Sequence, residues 1–135
     1  MSTTQKSDPS CDTIPAAAEV FNQSPDTGNG NHSMITLLCT LKDEEARKQY
    51  LALTREIAFP IKAAHPSCIR VTQTIPKNTD SFQVLWVEEW TNSSDFTNTM
   101  KSLFKTYPRL NKVNEYLTCN PTVTVSRMIT NADIA

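Results

Sequence analysis

Glu88 stands between two tryptophans in the run Phe82-Gln-Val-Leu-Trp-Val-Glu-Glu-Trp90, and the chain has no others. A carboxylate held between indole rings is shielded from water, which suits it to taking a proton from a weakly acidic substrate. Arg70 is the cation expected on the same face, roughly opposite Glu88 if the following hairpin brings Ile75 near Ser81 or Phe82. The two can equally form a structural ion pair at the mouth of a sheet. Trp86 and Trp90 are core residues in one reading and a stacking surface for a flat aromatic substrate in the other. Tyr107 offers a hydroxyl that can donate to an oxyanion. His65 reads as a solvated residue capping a helix C-terminus, and His32 lies in a polar N-terminal stretch.

The bulk properties narrow the partners. A length of 135 residues fits one domain. A net charge of −1 gives no electrostatic case for nucleic acid or a membrane surface. No apolar run approaches the roughly 20 residues of a spanning helix. The first ten residues hold no apolar signal region, so the expected location is cytoplasmic. Cys11, Cys39, Cys68 and Cys119 form no CxxC pair or His/Cys cluster at metal-ligand spacing. In a reducing compartment they are expected as free thiols, with Cys39 a small core residue. No metal or cofactor is implied.

These residues need a scaffold. Residues 1–33 are rich in Ser, Thr, Asp, Asn and Pro and read as a flexible tail, with Ile14 to Phe21 a sticky patch able to dock as a turn of helix. Met34 to Lys42 alternates as a strand. Asp43 is an N-cap, with Glu44 and Glu45 in the first turn. Tyr50, Leu53, Thr54, Ile57, Ile61 and Ala64 form a helical stripe, which Pro60 should kink or split. Cys68 to Ile75 and Phe82 to Trp90 are strands joined by the turn cluster Pro76 to Ser81. Thr91 to Ser94 start a second helix with Phe96, Met100, Leu103, Phe104 and Tyr107 on one side. Pro108 interrupts it, and Pro121 to Ile129 is the last strand. The domain is thus residues 34–130, with a C-terminal tail over 131–135. Its order, β-α-β-β-α-β, packs most simply as one four-stranded antiparallel sheet with both helices on one face.

That arrangement leaves one sheet face uncovered. Even spacing groups Ile35, Leu37, Leu85, Val87, Val123 and Val125 as an aliphatic face. Such a patch exposed on a monomer is unfavourable, so a two-fold homodimer through it is expected, with a monomer covered by its own tail as the alternative. The opposite set is Thr36, Leu38, Thr72, Trp86, Trp90 and Thr124. It would lie under the helices and, with Phe96, Met100 and Phe104, line a chamber for a small ligand.

Residues 34–129 resemble the antibiotic-biosynthesis-monooxygenase type of domain, a ferredoxin-like α+β fold of the dimeric α+β barrel superfamily. The resemblance rests on the element order, His65-Pro-Ser-Cys68, Val87-Glu-Glu-Trp90, the polar helix start Thr91–Asp95, and Phe96. It implies a homodimer with a pocket between sheet and helices in each subunit. It also implies cofactor-free oxygenation of phenolic, polyketide-like aromatics such as anthrones, with cyclases and isomerases as neighbouring chemistries. Trp90 matches the family's tryptophan, and Phe96 falls where some oxygenases carry a pocket aromatic. Thr99 stands where many members carry a histidine, and Thr36 where haem-degrading members carry an asparagine. These departures argue against haem of that type and remove the most obvious base. They also keep open a third reading, a non-catalytic binding module with a collapsed pocket.

Overall fold

The computed structural model describes residues 14–23 and 32–135. Helix α1 (Ala17–Gln23) precedes strand β1 (Ser33–Leu41), helices α2 (Glu44–Glu56) and α3 (Ala58–Ala64), and strands β2 (Cys68–Thr74) and β3 (Phe82–Trp90). Helix α4 (Ser93–Thr106), a 3-10 stretch (Pro108–Glu115), strand β4 (Thr122–Arg127) and the short helix α5 (Asn131–Ile134) complete the chain. The sheet is four-stranded in the order β2-β3-β1-β4, and every adjacent pair is antiparallel. The expected α+β architecture is therefore the one observed. Among the described residues no helix is long and apolar enough to cross a membrane.

Local chemistry explains where the helices begin and break. Asp43 accepts the Ala46 amide at 2.7 Å, and Asn92 accepts those of Ser94 and Asp95 at 2.9 and 3.4 Å. Proline cannot donate to residue 56 and its ring clashes with that carbonyl. Helix α2 accordingly ends at Glu56, and Pro60 falls in the first turn of α3, where no amide partner is needed. The interruption at Ile57 resets the helical phase: Ala58 and Lys62 are buried in α3, while Ala64, expected in the stripe, is exposed.

Strand register corrects the assignment of faces. Leu37 lies opposite Trp86, Ile35 opposite Glu88 and Ser33 opposite Trp90. Directly opposed residues share a face, so Ile35 and Leu37 belong with the tryptophans. They are buried at 0% and 3% exposure, while Thr36 and Leu38 are only half-buried. Thr36 pairs with Val87 and Thr124, Leu38 with Leu85, and Thr72 with Val87. The open face therefore carries Met34, Thr36, Leu38, Thr72, Leu85, Val87 and Thr124, more hydroxylated than expected. Alternation within a strand gives two sets but not which set of one strand joins which set of the next. A one-residue change in register exchanges them.

The patch Ile14 to Phe21 docks as helix, as its composition allowed, and residues 131–134 form a short helix within the expected C-terminal tail. Helix α1 packs onto the domain with Ala17 2% and Phe21 3% exposed. The Ala17 amide donates to Asn114 Oδ1 at 2.8 Å and the Ala16 amide to Asn120 Oδ1 at 2.7 Å, so side chains distant in sequence cap the start of this helix. The remainder of the expected tail, residues 1–13 and 24–31, lies outside the described residues. At the other end α5 is exposed but closed by a Thr130/Asp133 capping box, with a two-point Arg127–Asp133 ion pair at 2.8 Å.

One cysteine departs from expectation, and Cys39 is the buried free thiol expected. Cys39 and Cys68 are free, but Cys119 is disulfide-bonded, and Cys11 lies outside the described residues. Sequence spacing cannot reveal such a bond, because it depends on Cα atoms approaching within about 7 Å in space.

Asn92→Ala should destabilise the domain by about 1 kcal/mol, measured by urea denaturation, because two amides at the start of α4 lose their acceptor.

Candidate active site

Beneath the helices the sheet presents Trp86, Glu88 and Trp90 in consecutive inward positions of β3, at 1%, 0% and 0% exposure. A buried carboxylate requires a counter-charge and hydrogen-bond donors. Both come from the helical layer and the same strand. Lys62, on α3 and itself 0% exposed, places Nζ 2.6 Å from Glu88 Oε2. Trp90 Nε1 donates to Glu88 Oε1 at 2.9 Å. Each carboxylate oxygen thus has a donor.

The lysine is enclosed by aromatic rings. Its Nζ lies 3.6 Å from the Trp86 ring centroid and 5.8 Å from that of Phe96. Ring faces are electron-rich and attract the ammonium without competing for the carboxylate; desolvated contacts of this kind contribute about 2 kcal/mol. Burial pulls the Lys62 ammonium below the usual lysine range, and Glu88 opposes that shift. Phe96 stands edge-on to Trp90 at 5.8 Å, and the His65 ring lies 5.2 Å from Trp90. His65 Nδ1 accepts the Ser67 amide at 3.0 Å.

A second polar cluster adjoins the first through Trp86. Its Nε1 donates to the Tyr50 hydroxyl at 2.7 Å, and Tyr50 Oη lies 3.1 Å from Cys39 Sγ. Burial pushes the Tyr50 phenol well above its usual range and the Cys39 thiol up to about 12. Cys68, half-buried, is raised to about 11 by desolvation and by Glu88. Tyr50 is therefore a permanent O–H donor, and neither thiol is a nucleophile at neutral pH.

The chamber between sheet and helices is nearly full. A cavity of about 30 Å³ remains, lined by Leu37, Tyr50, Trp86, Met100, Phe104 and Phe21 among others. That is room for two or three waters at about 10–15 Å³ each, not for an aromatic ligand. Outside it, an open groove of about 450 Å³ runs between α3 and α4, lined by His65, Asp95, Asn98, Thr99, Leu103 and Tyr107.

The structure thus unites Glu88, Trp86, Trp90, Phe96, Met100 and Phe104 under the helices and separates the other expected residues from them. Thr36, Leu38, Thr72 and Thr124 sit on the opposite face of the sheet. Arg70 does too. Cys68 pairs with Trp90, a register that continued would set Arg70 opposite Glu88, but a bulge between Cys68 and Arg70 moves Arg70 opposite Glu89. There it donates to Glu89 at 3.1 Å, which also meets His32 Nε2 at 2.8 Å. Tyr107 leaves helical geometry at the end of α4 and is 42% exposed on the rim of the outer groove. Lys62 escaped the sequence reading because the stripe was carried unbroken through Ile57. Counting afresh from the break that Pro60 imposes would have placed Lys62 one turn after Ala58, on the buried side.

No family model matches the chain, and no curated protein does. Solved structures do match. An antibiotic biosynthesis monooxygenase aligns with a TM-score of 0.58 at 17% identity, covering 73% of this chain and 99% of its own. A monooxygenase from the gene ActVA-Orf6 of Streptomyces coelicolor, in complex with nanaomycin D, gives 0.58 at 9% identity over 74% and 89%. A mutant of SnoaB, a cofactor-independent oxygenase from Streptomyces nogalater, gives 0.55 at 13% over 73% and 96%. The chain therefore has the fold of the antibiotic-biosynthesis-monooxygenase type of domain. At these identities the likeness concerns the fold.

Lys62→Met should destabilise the protein by about 3–5 kcal/mol, because it leaves the Glu88 charge buried and alone. Lys62→Met combined with Glu88→Leu should recover most of that loss in urea denaturation, since no unpaired charge remains.

Proposed function

We propose that this protein is a small-molecule tailoring enzyme, a cofactor-independent oxygenase of phenolic, anthrone-like aromatic substrates. The observation that carries the reading is the fully buried Lys62–Glu88 pair inside the ring box of Trp86, Trp90 and Phe96. The fold shared with oxygenases supports it.

In this reading the substrate enters between sheet and helices. Glu88 accepts its proton, and the resulting anion replaces the carboxylate as counter-charge to Lys62, so the buried charge is conserved. Tyr50, kept protonated, donates to the substrate oxygen, while the surrounding rings exclude water. The anion passes an electron to oxygen; recombination gives a peroxide anion at the activated carbon, which takes back the proton held by Glu88 and loses water. The balance is CH₂ plus O₂ to C=O plus H₂O, so no outside reductant is needed. Met100 and Phe104 shape the chamber. A non-oxidative cyclase or isomerase using the same base, and a binding module with a permanently closed chamber, are the competing outcomes of the test.

With anthrone as probe, the wild-type protein should consume oxygen, and Glu88→Gln should lower turnover about 100-fold or more, measured at a temperature where circular dichroism shows the variant still folded, since it leaves the Lys62 charge buried and unpaired. Turnover that persists unchanged under nitrogen would overturn the oxidative reading. No turnover of anthrone in either atmosphere would favour the binding module.

The open sheet face supports a homodimer. Met34, Leu38, Leu85 and Val87 form an apolar strip that a second sheet would cover, with Glu89, Arg70 and His32 near its rim. Leu38→Asp together with Leu85→Asp should convert a two-chain species to a one-chain species in sedimentation at micromolar concentration. A wild-type protein that sediments as one chain would defeat the dimer without touching the chamber.

A further inference from the structure

We propose that the place occupied by Phe21 is the ring-binding end of the chamber, and that α1 is a built-in competitor which a planar aromatic ligand displaces. This rests on the reading of the chamber as the substrate site. The β-α-β-β-α-β fold begins at β1, so α1 is an addition to it, and the matched oxygenase folds leave about a quarter of this chain uncovered.

Phe21 occupies this space as a bound ring would. Its ring lies edge-on to Phe96 at 5.9 Å and stacked on Phe104 at 6.2 Å, with an interplanar angle of 26°. Phe96 in turn lies 5.8 Å from the Lys62 ammonium and from the Trp90 ring. Phe21 also walls the residual cavity together with Trp86 and the Tyr50 side chain. With Phe21 withdrawn, that cavity joins its vacated volume, giving a flat slot with aromatic walls and one phenolic donor. Its chemistry selects a planar ring carrying an oxygen.

The attachment of α1 is of a strength a ligand can match. A helix of seven residues is too short to persist alone in water, so it holds together only while docked. Docking rests on the buried Ala17 and Phe21, on Ala18 and Val20 packed part-buried against the core, and on the amides of Ala16 and Ala17 held by Asn120 and Asn114. A ligand ring entering the slot replaces the contacts of Phe21 with Phe96 and Phe104 directly.

The decisive variant keeps Phe21 and loosens only its tether. Asn114→Ala with Asn120→Ala, in the full chain, should bind 1-naphthol at least tenfold more tightly than wild type, read by tryptophan fluorescence. Phe21→Ala should show a gain of similar size. In the wild-type protein, saturating 1-naphthol should speed amide hydrogen exchange across residues 18–23. Unchanged 1-naphthol affinity in the folded double-asparagine variant, or unchanged exchange in α1 at saturation, would overturn the proposal. If Phe21→Ala fails to fold, these two measurements decide alone. Neither involves turnover, so a tighter-binding variant that consumes no oxygen with anthrone would remove the oxygenase reading and leave the displaced-helix reading standing.

Discussion

A carboxylate on the covered face of the sheet is the constraint around which the interior is arranged. Glu88 has no access to water, so its charge must be met inside the protein. One lysine from α3 and one indole N–H from the same strand meet it. Both requirements fix neighbours in turn. Lys62 reaches the sheet only because the helical layer breaks at Ile57 and restarts in a new phase. Its ammonium is then tolerated because Trp86 and Phe96 turn π faces toward it. The alternative partner, Arg70, is removed to the other side of the sheet by a single bulge in β2.

The interior has two parts with different costs of opening. Around Glu88 the groups are charged, paired and enclosed, and any disturbance leaves an unmatched charge. Around Tyr50, Met100 and Phe104 the groups are mostly apolar, and the space is closed by a helix of seven residues. Rigid charge beside replaceable apolar filling is an arrangement suited to a site that must stay preorganised while admitting a ligand. The Tyr50–Trp86–Cys39 hydrogen-bond cluster joins the two parts and keeps the phenol oriented.

Much of the scaffold was legible in the residues. Asp43 and Asn92 announced the helix starts, and alternation marked β1 and β3. Pro60 announced a break, although not that the phase beyond it would bury a lysine. The candidate site was half legible: Glu88, Trp86, Trp90, Phe96, Met100 and Phe104 stand together, whereas the threonines, Leu38, Arg70 and Tyr107 lie elsewhere. The threonines and Leu38 were misplaced because alternation does not tell which face of one strand joins which face of the next; Arg70 was moved by the bulge in β2, and Tyr107 by the end of α4.

The sequence by itself determined the elements, their order and the class of fold, because caps, breaks and periodicity act between residues a few positions apart. Only the tertiary structure decided which strand faces coincide, that Lys62 rather than Arg70 answers Glu88, and that Phe21 closes the chamber. Those outcomes depend on register, on one extra residue in β2, and on contacts between segments far apart along the chain, none of which leaves a local pattern.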